Sequence, residues 1–111
     1  MPIYISRGRF TTKAIQGMMA KPENREEAVA KLFKSCGGKL IGWYLTFGHH
    51  DWLVIGEFPD EKAASAAILA AAAGGSLSET ETTVAMTAKE AAAAFGAAGK
   101  AAKGFRSAGR S

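Results

Sequence analysis

The sequence predicts an α+β domain built as β-α-β-β-α-β with an extra C-terminal helix. Three observations predict it. Short β-branched and aromatic runs with period-two alternation occur at residues 3–10, 40–58 and 77–86. Apolar residues at helical spacing, or alanine-rich runs, fill the intervals between them. Gly37-Gly38 and Gly74-Gly75 close two of those intervals, where glycine ends a helix.

The elements follow in order. Residues 3–10 (IYISRGRF) alternate Ile3 and Ile5 against Tyr4 and Ser6 and read as the first strand. Thr11 and Thr12 suit a helix cap, and Ile15, Met18 and Met19 recur at helical spacing. Pro22 lacks the N–H that a continuing helix needs, so it predicts a kink or a restart. Asn24 and Glu27 stand at capping-box spacing, with Asn in place of Ser or Thr. Val29, Leu32, Phe33 and Cys36 fall at i, i+3, i+4 and i+7, the inward stripe of an amphipathic helix.

Residues 40–47 and 52–58 are expected to form a hairpin across Gly48–Asp51, with 47 facing 52, 45 facing 54, 43 facing 56 and 41 facing 58. One face is then Ile41, Trp43, Leu45, Phe47, Trp52, Val54, Gly56 and Phe58, with Gly56 leaving room for the Trp43 indole. The other face is Leu40, Gly42, Tyr44, Thr46, Leu53, Ile55 and Glu57, too apolar to stay bare in water. Pro59-Asp60 opens an alanine-rich helix over residues 60–73. Residues 77–86 alternate and are rich in Thr, the last strand. Thr87 and Glu90 form a capping box for a helix to about Phe95. From Gly96 the chain turns to Ala, Gly, Lys and Ser. Residues 1–95 are therefore expected as one domain and 96–111 as a flexible basic tail.

Right-handed crossovers turn this order into a ferredoxin-like sandwich, with the main helices on one sheet face. The open second face calls for a second copy of the chain, so a homodimer or larger oligomer is expected. Charge narrows the partners. The net charge is +4, but Lys100, Lys103, Arg106 and Arg110 all lie in the tail; without them ten basic residues balance ten acids. A basic folded face is absent, so nucleic acid is not an expected partner. No run of about 18 apolar residues predicts a membrane span, and the segment around Arg7 and Arg9 does not read as a secretory signal. The lone Cys36 excludes an internal disulfide and suits a cytoplasmic location. "GGKLIG" lacks phosphate-loop spacing, and no motif specifies a cofactor.

The segments "PIYISRGRFT" and "GGKLIGWYLTFGHHDWLVIGEFPD", with the later Ala-rich helix and Thr/Glu strand, resemble the GYD family over about residues 2–95. That resemblance implies a small α+β protein related to the dimeric α+β barrels. The family's Gly-x-Tyr-Asp motif falls on Gly48, His49, His50 and Asp51, with His50 in place of Tyr. The family has no assigned biochemical role, so the resemblance implies fold and leaves function to the residues.

Two readings stand for the His49-His50-Asp51 run. Histidine titrates near neutral pH and a carboxylate can orient it, which suits general acid/base catalysis. The same residues also suit a polar hairpin turn, with Gly48 easing the backbone and Asp51 bonding it locally. The run matches no standard zinc spacing, and no metal site is expected. Trp43 and Tyr44 are candidate ligand-binding residues, Glu57 a candidate base or interface charge, and Arg7 and Arg9 candidate anion holders. Core packing, solvated charge and subunit contact are the plainer readings of each. The expected function is small-molecule binding, with or without histidine-assisted acid/base chemistry. The alternative is a non-catalytic oligomerisation or ligand-sensing module.

Overall fold

The computed structural model describes residues 1–109; Arg110 and Ser111, at the end of the expected tail, lie outside the described residues. The elements are β1 (Ile3–Phe10), α1 (Thr12–Ala20), α2 (Arg25–Ser35), β2 (Lys39–Leu45), β3 (Trp52–Glu57), α3 (Glu61–Ala73), β4 (Leu77–Ala85) and α4 (Ala88–Ala102). The four strands form one antiparallel sheet in the order β2-β3-β1-β4, the ferredoxin-like arrangement.

Local chemistry places each helix. Thr11 caps α1 by accepting from the Ala14 N–H at 3.2 Å. Pro22 falls between α1 and α2, so the chain restarts rather than kinks. Asn24 caps α2 by accepting from the Glu26 N–H at 3.0 Å, not through the box with Glu27. Asp60 caps α3 by accepting from the Ala63 N–H at 2.9 Å. The Thr87–Glu90 capping box opens α4 in both its halves. That helix runs to Ala102, past the expected end at Phe95, because its alanines outweigh Gly96 and Gly99.

The hairpin differs from expectation in register. Leu45 faces Trp52 and Trp43 faces Val54, two residues off the expected pairing. The turn is longer than four residues: the Thr46 N–H donates to the Asp51 carbonyl at 2.9 Å, and Thr46 Oγ1 donates to the His50 carbonyl at 2.7 Å. Phe47 therefore leaves the sheet and stands 96% exposed. A bulge at Ile41 then brings Leu40 opposite Gly56, on the core side, and turns Ile41 outward. Gly56 makes room for Phe33 and not for Trp43; a Cβ there would lie 2.6 Å from the Phe33 ring.

The core lies between the sheet and the helices. Tyr4, Phe33, Trp52, Val54, Phe58, Ala64 and Ala67 are its buried apolar members. Phe58 is the largest fully enclosed side chain, packing 4.8 Å from Phe33 and edge-on to Tyr4 at 5.9 Å between ring centroids. Tyr4 belongs to this core. Burial, then Glu61 and Asp60, raises its phenol above the usual tyrosine range.

Candidate functional site

Three places gather the residues that the sequence singles out. The first is the loop between β2 and β3. Gly48 there has φ +146°, a conformation open mainly to glycine. Asp51 ties the loop to the end of β1. Its Oδ2 accepts from the Phe10 N–H at 2.9 Å, and its own N–H donates to the Gly8 carbonyl at 2.8 Å. Arg9 closes the same clasp, donating to the His49 carbonyl at 3.3 Å and lying 4.0 Å from Asp51 Oδ2 and 3.6 Å from Glu79 Oε2. Glu79 reaches Arg9 because a bulge between β1 and β4 holds it at φ 50°. His50 Nε2 stands 3.8 Å from Glu81 Oε2, and the two imidazoles meet edge to face at 4.7 Å. His49 is exposed and His50 half-buried. The arrangement fastens a loop to a strand end with charge and hydrogen bonds.

The second place is a pocket of about 280 Å³ between the sheet and α1, α2 and α3. Trp43 and Trp52 line it from the sheet, Ala14 and Met18 from α1, Leu32 from α2 and Ile68 from α3. Glu23 and Arg25 add the charge in its lining, paired at 2.7 Å and partly exposed. Trp52 is 3% exposed, and its Nε1 is buried with no hydrogen-bond partner. Neither histidine lines this pocket. The signal for the pocket was present in the apolar stripes of the first two helices. Sequence reasoning assigned those stripes to core packing and missed Met18, Leu32 and Arg25 as walls.

The third place is the outer face of the sheet. β1 sets Ile3, Ile5 and Arg7 there, β3 sets Leu53, Ile55 and Glu57, and β2 sets Tyr44 opposite Leu53. The β1 and β3 residues are half-buried, whereas Tyr44 is 55% exposed and its ring lies against Gly42. The Arg7 Nε is buried without a partner. The expected ligand set therefore divides: Trp43 faces the pocket, and Tyr44, Glu57 and Arg7 face the opposite way. Among the described residues no cluster of three or more His, Cys, Asp or Glu is set to hold a metal. Among them no helix is long and apolar enough to cross a membrane.

The sheet order, the helices and the clasped hairpin define a small ferredoxin-like α+β protein. The chain matches the GYD domain over residues 4–95 and belongs to that family. The match spans β1 through the first half of α4 and includes the loop of Gly48 and Asp51. No curated protein matches the chain.

Proposed function

We propose that this GYD-domain protein binds a compact, largely apolar small molecule carrying one hydrogen-bond acceptor, in the pocket between sheet and helices. Trp52 carries the reading. A buried indole N–H without a partner costs about 1–3 kcal/mol, which a ligand oxygen relieves once the indole turns to meet it. The rest of the wall is mainly apolar, its Glu23 and Arg25 paired with each other, and a pocket of 280 Å³ suits a ligand of one or two rings. The lone Cys36 supports action in the cytoplasm.

The chain's two tryptophans both line the pocket, so intrinsic fluorescence reports on it directly. Titration with indole, benzoate and octanoate should give a saturable change in emission with at least one of them. Ala14→Phe, which fills the pocket from α1, should abolish that change while the far-UV spectrum stays native. An equal response in the filled variant would overturn the reading.

A homodimer joined through the outer sheet faces is proposed alongside. Ile3, Ile5, Leu53 and Ile55 form an apolar patch there, and Arg7 and Glu57 on the same face offer charges of opposite sign. Ile55→Glu should convert a dimer to a monomer in light scattering; an unchanged mass would remove this part of the proposal.

A further inference from the structure

The helix α4 stands apart from the domain that carries it. Of its residues only Ala91 is even half-buried, and Phe95 is 77% exposed. The molecule measures 63 × 31 × 21 Å with a radius of gyration of 18.2 Å, against roughly 13 Å for a compact chain of this length. Isolated helices of about 15 residues are marginal in water, and Gly96 and Gly99 weaken this one further. Its amphipathic face therefore wants a partner. Ala91, Phe95, Ala98 and Ala102 share one side, and Lys89, Lys100 and Lys103 lie together on another.

A matching groove exists on the far side of the fold's core. It lies between α3 and the edge strand β4, with a volume of about 440 Å³. Its floor and walls include Tyr4, Ala64, Ile68, Leu69 and Val84, and Glu61 stands at one end. Leu69 is 68% exposed and Val84 52%, both high for large apolar side chains. The α3 N-terminus carries Asp60 and Glu61 against Lys62, a net negative end. Spacing joins the two surfaces. From Leu69 to Glu61 along α3 is about 12 Å, and from Phe95 to Lys100 and Lys103 along α4 is about 8–12 Å. An antiparallel pairing that seats Phe95 beside Leu69 and Val84 brings Lys103, on the flank of α4, level with Glu61, while Lys100 points away from the groove; the two helix dipoles are opposed.

The groove's occupant is a second copy. Only Met86 and Thr87 separate β4 from α4, and the capping box holds that junction through the Thr87 N–H and side chain, so the helix has no slack to fold back onto its own groove. We infer that α4 is an exchanged arm, docking through Phe95 into the α3–β4 groove of another copy of this chain. This contact is separate from the outer sheet face and adjoins the ligand pocket at Ile68.

Mixed cross-linking tests it. In a Cys36→Ser background, one chain carries Phe95→Cys and a second, distinguishable by a tag, carries Leu69→Cys. Both sites are exposed, so neither change removes a core side chain. Mild oxidation of the mixture should give the mixed disulfide dimer in at least fivefold excess over the same mixture with Phe95→Cys moved to Ala93→Cys on the opposite side of α4. Ile55→Glu on both chains should leave the arm cross-link in place even where it dissolves a sheet-face dimer. No enrichment of the mixed dimer would overturn the inference. So would a chain carrying both cysteines that closes its disulfide internally as a monomer.

Discussion

The hairpin loop and the pocket make opposite use of their residues. The loop holds the residues that attract attention as chemistry: two histidines, an aspartate and a neighbouring arginine. Asp51 and Arg9 are engaged with backbone groups and with each other, and His50 leans on Glu81. The pocket is built mostly from residues that read as packing, yet it keeps a buried donor unpaired. Polar residues joined to backbone atoms are already satisfied, whereas an unsatisfied group inside an apolar wall retains binding free energy to give to a ligand.

The contrast can be broken at several points. Phe33→Ala should have the largest effect, because Phe33 serves both the core and the pocket wall. Urea unfolding should show a loss of about 3–5 kcal/mol, with a change in tryptophan emission in the folded state. Asp51→Ala comes next. It strips the Phe10 N–H of its acceptor and removes the charge beside Arg9, and should lower stability by about 1–3 kcal/mol. Ligand-induced fluorescence changes should survive it, since the clasp lies outside the pocket. A stability change below about 0.5 kcal/mol would show that the loop is not held by this residue.

Thr87→Ala should remove about 1 kcal/mol of cap stabilisation from α4, read as lost helical ellipticity without a shift of the core transition. The same box gives a pH dependence. Hydrogen bonds from the Thr87 backbone and side chain lower the Glu90 pKa, so its carboxylate stabilises the cap above the ordinary Glu range, about 4.3. That contribution is lost as pH falls through the lowered folded-state value, and ellipticity should drop there in wild type but not in Glu90→Gln. His49→Ala should have the smallest effect, within about 0.5 kcal/mol in denaturation, because its imidazole is exposed. A larger loss would mean that the loop depends on the imidazole pair as well as on Asp51.

The faces of the hairpin were legible in the sequence even where the pairing was not. A two-residue slip preserves the side of every residue, so Trp43, Trp52 and Val54 remain inward and Tyr44, Leu53 and Ile55 outward. The bulge at Ile41 was not legible. It exchanges the faces of Leu40 and Ile41, and it depends on how Gly56 and Phe33 meet across the sheet and helix layers. The pocket was hidden for a similar reason. Amphipathic stripes show which side of a helix turns inward, but not whether the opposing walls touch.

By itself the sequence determined the element order, the caps at Thr11, Asn24 and Thr87, the helix start at Pro59-Asp60, the break at Pro22, and the two faces of the hairpin outside its bulge. These rest on side-chain periodicity and on hydrogen bonds between residues no more than three or four positions apart. Only the tertiary structure decided the register, the Asp51 clasp, the space between Trp52 and the helices, and the isolation of α4. Those rest on pairs far apart in the chain, such as Phe10 with Asp51, 41 positions away, whose meeting follows from how the layers pack.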